Sequence, residues 1–453
     1  MRTKFHGLVK IAISAALVAL AACTSGSNPA SVEEEKDARC TPQAAACSVL
    51  AGYSGNTVAA GIDGATVAGG GQLGAPNRVS GDRGTVGGGE GNTAGEGSTV
   101  AGGSGNTAVY FHATVGGGSG NLADAEEATV GGGLKNTAGS RFATVGGGSA
   151  NTAGDYNATV GGGSGNLAGF QFATVGGGTL NRAVSTAAVV AGGNHNLAQG
   201  ANSAILGGIN NRADGDTAAI GGGAGNLAGG AYAAIPGGFA NQADGDYSFA
   251  AGRSARIGPA YPGTFLFADA SLFPFPALAA NEFAVRATGG ARFVTAVDGA
   301  GAPLAGVRLS PGSGAWESLS DAAAKGGFAP VDGRQVLEQL ASLPIGTWFY
   351  RGQDPSIRHL GPTAQDFRAA FHLGQDGYYI STVDEDGVAL AAIQELYRLV
   401  RQDQAGTTPL PGDPALRRQV ASLERRLTLS NGLAAAALLT AVLAVGRRKK
   451  GAV

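Results

Sequence analysis

Charge is scarce in this chain, and so are the side chains that do metal and redox chemistry. Only 14% of its 453 residues are charged, five are histidine and three are cysteine. The histidines and cysteines are scattered, so no ligand cluster forms and neither a metal nor any other cofactor is expected. Net charge is −2, with no basic tract outside the extreme C-terminus, which argues against nucleic acid as a partner. Glycine is what the chain has in excess, at 80 residues, a bias that marks either a repetitive structure or low complexity. The 43% of residues that are hydrophobic recur at fixed positions, which speaks against disorder.

Both ends read as membrane addresses. Arg2 and Lys4 precede an apolar run from Ile11 to Ala22, the pattern of a secretory signal rather than of a spanning helix. The run closes on Leu20-Ala21-Ala22-Cys23, which resembles the bacterial lipobox. That resemblance implies cleavage before Cys23 and lipidation of its thiol and new amine. A polar tether follows, and beyond it Cys40 and Cys47 are candidates for a local disulfide in an exported, oxidising setting. Near the other end, Leu427 to Gly446 would extend about 30 Å as a helix, enough to span a hydrocarbon core. Arg447-Arg448-Lys449-Lys450 follows directly and places that end in the cytoplasm by the positive-inside rule.

Between the ends runs a period of fifteen residues, marked by Asn106, Asn121, Asn136, Asn151, Asn166, Asn181, Asn196, Asn211, Asn226 and Asn241. Ala108 to Ala243 follow two positions after each Asn. A β-branched column runs from Val115 to Ile235, and a glycine column from Gly117 to Gly237. Each repeat therefore predicts one coil of a β-solenoid. Val, Ile and Ala point inward, glycines supply positive φ at corners, and stacked asparagines form an amide ladder. Three consecutive glycines exclude a helical repeat. The acidic residues of calcium-binding nonapeptides are missing, and no Gly-Lys-Ser/Thr makes these runs phosphate loops. Thr114, Thr129, Thr144, Thr159 and Thr174 make a hydroxyl column of the kind an ice or glycan binder uses, but it dissolves into Val and Ala afterwards. The unit Ala-Thr-Val-Gly-Gly-Gly-x-x-Asn-x-Ala resembles the head repeats of trimeric autotransporter adhesins of the YadA type, which implies a left-handed parallel β-roll that associates as a trimer.

After Arg256 the pattern changes to a proline- and aromatic-rich connector, then to mixed α/β sequence. Ser320-Asp321-Ala322-Ala323-Ala324-Lys325 stands at that border. A serine with a lysine nearby is a candidate nucleophile and base, provided burial lowers the lysine pKa from about 10.4. Val336 to Leu343 has helical spacing, Thr347 to Tyr350 reads as a strand, and Asp386-Gly387 reads as the cap of an apolar helix. Leu416, Val420, Leu423 and Leu427 have the spacing of a short coiled coil. From Trp316 to about Gln402 the chain resembles the intramolecular chaperone of endosialidase, the self-cleaving domain of phage tailspikes and fibres. Ser320-Asp321 with Lys325, Val331-Asp332-Gly333, Asp354-Pro355-Ser356-Ile357-Arg358-His359 and Gly361-Pro362-Thr363-Ala364-Gln365-Asp366-Phe367 carry the likeness. It implies a domain that promotes trimerisation and then cuts before its serine, between Leu319 and Ser320. Asp321 then supports the junction, and His359 is a structural contact rather than a base.

The expected fold class is mainly β: a trimeric left-handed parallel β-roll or solenoid of 15-residue coils, a small α/β chaperone domain, a short coiled coil and a transmembrane helix. The expected divisions are 1–22 signal peptide, 23–50 tether, 51–258 β-roll, 259–315 connector and 316–404 self-processing domain. Then follow 405–414 linker, 415–430 coiled coil, 431–446 membrane helix and 447–453 basic tail. The function expected is an exported cell-envelope lipoprotein displaying a homotrimeric roll, anchored by lipid at one end and a membrane helix at the other, and matured by self-cleavage. The alternatives are an uncut surface fibre with a permanent trimerisation cap, or a solenoid that binds a glycan or ice. No residue names a surface ligand.

Overall fold

The computed structural model describes residues 37–39 and 47–406, with 418, 419, 421, 422 and 425 beyond them. The signal peptide, Cys23, Cys40 and the 431–446 segment lie outside the described residues, as does nearly all of the expected coiled coil. The chain divides into two compact units between Thr288 and Gly289.

The first unit is a parallel β-solenoid of about sixteen turns. Each coil contributes two short strands, as Thr137–Ala138 and Thr144–Val145 do in one repeat. Thr144 pairs with Thr129 on one side and Thr159 on the other, and Thr137 with Leu122 and Thr152, always in parallel register. Single parallel bridges form a third ladder through Ser104, Ser119, Leu134, Ser149 and Ser164. At about 4.8 Å per coil the stack is about 70 Å long.

Four residues per coil point inward: in one repeat Asn136, Ala138, Ala143 and Val145, all fully buried. Three small apolar side chains and one amide fill the narrow bore, and the Val145 column becomes isoleucine at Ile205, Ile220 and Ile235. Asparagine acts differently from the expected ladder of amide on amide. Asn136 Oδ1 accepts the backbone N–H of Asn151 at 3.0 Å, while its Nδ2 donates to the carbonyls of Gly132 at 2.8 Å and Gly148 at 2.9 Å. Direct amide–amide bonds accompany this pattern at Asn196 to Asn181 and Asn226 to Asn211. Gly148 O also accepts Leu134 N, whereas the Asn151 N–H and the Gly132 carbonyl are served by the side chain.

Glycine supplies positive φ at Gly148 (+89°), where a Cβ would lie 2.1 Å from the Gly163 carbonyl oxygen. Other corners depart from the glycine expectation. Phe142, Asn157, Phe172, Tyr232 and Tyr247 hold φ between +52° and +60°. Their N–H groups bond to the preceding coil, as Phe172 N does to Tyr156 O at 3.0 Å, which offsets the cost of the left-handed region.

The ladder continues past Arg256 into the segment read as connector. Phe249–Gly252, Phe265–Ala268 and Phe283–Arg286 are successive strands of one sheet. Their rings stack, with Phe249–Phe265 centroids 4.6 Å and Phe265–Phe283 centroids 4.9 Å apart. Asp269 closes this end: its carboxylate accepts from Arg286 Nε at 2.9 Å, Thr288 N at 2.8 Å and Thr288 Oγ1 at 2.6 Å. The Thr288 hydrogen bonds hold its carboxyl well below the usual carboxylate range.

The second unit opens with a three-stranded antiparallel sheet, Ala291–Val297, Pro303–Leu309 and Trp316–Ser318. Helix α1 spans Gly333–Ser342, α2 Ala364–Phe371 and α3 Thr382–Gly406. Asp332 caps α1 through the N–H groups of Arg334 and Gln335, and Thr363 caps α2 through that of Asp366. Helix α3 begins at Thr382 rather than at the expected Asp386 cap: Ser381 O receives the N–H groups of Asp384 and Glu385, and these acids suit a first turn. Leu343, Phe367 and Val388 form a small core with Val336, Leu340 and Ile380. The expected strand at Thr347 forms as Gly346–Trp348, paired with His359–Gly361. Among the described residues, no helix is long and apolar enough to cross a membrane.

Candidate functional site

The junction is built on the edge of the three-stranded sheet. Trp316–Ser318 pairs antiparallel with Pro303–Leu309, placing Leu309 opposite Trp316, Arg308 opposite Glu317 and Val307 opposite Ser318. Pairing extends one residue further, since Leu319 N donates to Gly306 O at 2.9 Å. The chain then leaves the sheet at Ser320.

Asp321 starts a single 3₁₀ turn, Ala322–Ala324, by accepting the N–H of Ala323 at 2.8 Å. This turn brings Lys325 back over Ser320, with Nζ 2.6 Å from Oγ. The three alanines suit a turn whose only task is to reverse direction over this short span. Ser320 and Lys325 therefore lie in hydrogen-bond contact, and Asp321 caps the turn between them. Both dyad residues are exposed on the single chain, whereas a lysine acting as a general base needs burial. Leu319 is 40% exposed, so the bond between it and Ser320 lies at the surface.

A groove of about 360 Å³ lies along this edge, lined by Arg292, Phe293, Pro303, Gly306, Leu319 and Ser320 among others. Beside it the Arg308 guanidinium, 2.5 Å from Glu317 Oε2, and the Ser310 hydroxyl hold the Glu317 carboxyl below its ordinary range. Sequence reasoning missed this sheet and placed its first two strands in a connector. The signal was present, as Asp298-Gly299-Ala300-Gly301 between two apolar runs is a hairpin turn.

Residues 320–373 match the family model of the chaperone of endosialidase. The matched segment starts on Ser320 itself and contains the 3₁₀ turn, α1 and α2. No curated protein matches the chain. Within the chaperone-like segment, His359 stacks on Trp348 with centroids 4.8 Å apart and bonds Gln353 through Nε2 at 2.9 Å. Those contacts fit the structural role expected of it. Among the other expected sites, Cys47 is disulfide-bonded, and no cluster of potential metal ligands occurs among the described residues.

Proposed function

We propose that the chaperone-of-endosialidase segment assembles three copies of the β-solenoid and then cuts its own chain between Leu319 and Ser320. The 2.6 Å approach of Lys325 Nζ to Ser320 Oγ, at the first residue of the matched segment, carries this reading. A neutral Lys325 takes the hydroxyl proton as Ser320 Oγ attacks the Leu319 carbonyl carbon. The adduct collapses with cleavage of the C–N bond, the Ser320 nitrogen gaining a proton, and Leu319 is left as an ester on Oγ. Water then hydrolyses the ester, leaving a Leu319 carboxylate and a free Ser320. Covalent connection supplies the proximity that a diffusible substrate would lack.

Trimerisation has physical support in α3. Leu390, Ile393, Tyr397 and Val400 follow a 3-4-3 spacing and are all about half or more exposed, the seam of a helix awaiting like helices. Assembly would also give Lys325 the desolvation that one chain does not. Non-local solenoid coils nucleate slowly and expose unpaired strands while incomplete. Joining three chains at one end raises their local concentration, and cutting afterwards removes the reverse path. Cys23 and the 431–446 segment support placement as an exported envelope lipoprotein with a second membrane anchor, which cell fractionation of the two halves tests. The Cys40–Cys47 disulfide belongs to the same reading.

Intact mass of residues 24–428, beside Ser320→Ala and Lys325→Met, tests the reaction. Two fragments meeting at Leu319/Ser320 in the parent and one chain in each variant are expected. The exposed dyad favours a second reading, a permanent trimerisation cap, and an uncut parent that is still trimeric would establish it.

A further inference from the structure

We infer that the hairpin Ala291–Leu309 is a built-in substrate template, which binds the chain on the Leu319 side of the scissile bond as an added strand. This rests on the self-cleavage proposed above and assigns the part of the site that the dyad lacks. A serine and a lysine on one turn can activate a nucleophile, but they do not orient the carbonyl it attacks. Here that orientation comes from the residues preceding the bond. Trp316, Glu317 and Ser318 are held in antiparallel register, and Leu319 N is bonded to Gly306 O at 2.9 Å. This is strand addition to a sheet edge, made within one chain. The hairpin lies before the matched segment.

Three features fix the register. Arg308 faces Glu317 directly and bonds it at 2.5 Å, with Ser310 Oγ at 3.1 Å from the same oxygen. Trp316 lies against Phe293, with centroids 5.7 Å apart. Gly306, the acceptor for Leu319, sits where a Cβ would lie 2.3 Å from Phe293 O, and the pairing shifts register beside it, between Val294 and Ala296. A one-residue slip would turn Leu319 to the other face and re-aim its carbonyl relative to Ser320 Oγ. Arg308, Glu317 and Gly306 are thus positioning residues for the cut. Template and acyl group also lie on the same side of the bond, so the ester carbon stays in register while it awaits water. After hydrolysis the new Leu319 terminus remains paired instead of becoming a loose strand.

The test measures the cleavage rate of the full exported chain by fragment appearance, with trimer content followed in parallel. Variants are Arg308→Glu, Glu317→Arg, the double exchange and Gly306→Val. Each single reversal sets like charges opposite each other and should slow cleavage about three- to tenfold. The double exchange should restore the rate to within about twofold. Gly306→Val should slow it about 100-fold, the effect of misplacing a reacting group by about 1 Å. Rescue by exchange is a readout that general destabilisation would not produce, and it stands even if Gly306→Val fails to fold. Parental rates in both reversals, with Ser320→Ala still uncut, would reject the template and leave self-cleavage intact. Cutting of Ser320→Ala, or an uncut parent, would overturn both.

Discussion

Replacing Asn166 by alanine tests whether the asparagine column holds the solenoid together. Asn166 is 1% exposed. Its Oδ1 accepts the N–H of Asn181 at 3.0 Å, and its Nδ2 donates to Gly162 O at 2.8 Å and Gly178 O at 2.9 Å. Gly178 O also accepts Ser164 N, so it keeps a partner in the variant. The Asn181 N–H and the Gly162 carbonyl lose the partner that Asn166 gave them. At about 1–3 kcal/mol for each orphaned buried group, and allowing for partial relaxation, the cost is about 3 kcal/mol. Coils contact only their neighbours, so the loss should be local. Hydrogen exchange at Thr152 and Leu167, whose N–H groups bond to the carbonyls of Asn166 and Asn181, reads it directly. Protection there should fall about 150-fold, with little change several coils away. Thr159→Ala, on the outer face, serves as the control. A fall of less than about fivefold, or one equal to the control, would refute the argument that the amide supports the corner backbone.

Gly148→Ala should destabilise the solenoid by about 2–4 kcal/mol in denaturant melts, because φ is +89° and the new Cβ would meet Gly163 O at 2.1 Å. Gly147→Ala, whose Cβ would have only Gly132 O at 4.0 Å, should cost less than about 0.5 kcal/mol. Asp269 has a carboxyl held below its usual range, so its stabilisation is present above the unfolded pKa of about 3.9 and is lost as pH falls through the folded value. Asp269→Asn should therefore melt earlier than the parent at pH near 7, with the gap narrowing on acidification below about pH 4. Phe367→Ala should destabilise the second unit by about 3 kcal/mol, since Phe367 is 5% exposed in its small core. Thermal melts of the second unit's aromatic signal would show it.

The repeat was legible because solenoid coils obey one rule at every level. A fixed period places the same residue type at the same corner, so Ala138 and Val145 stand out as inward columns, and Asn136 as a stacked one, in the sequence alone. Ser320 and Lys325 stand out in the sequence as a pair five residues apart, and the Asp321-capped 3₁₀ turn brings them into contact. Three features were hidden. The asparagines serve the backbone more than each other, which depends on where the neighbouring carbonyls lie. Phe142 and Tyr232 hold left-handed φ at their corners, which residue type does not signal, because a hydrogen bond to the adjacent coil outweighs the local cost. The sheet on which Leu319 rests was read as a connector, since its pairing partners are separated by a loop and a bulge.

Sequence by itself determined the solenoid and its inward Val/Ile and Ala columns, which follow from periodicity. Tertiary structure alone decided how far the ladder runs, that Asp269 and Arg286 close its end, and that Leu319 is bonded to Gly306. Those contacts join residues 13 to 17 positions apart or lie across a bulged hairpin, and strand register there is set by packing, not by any local pattern.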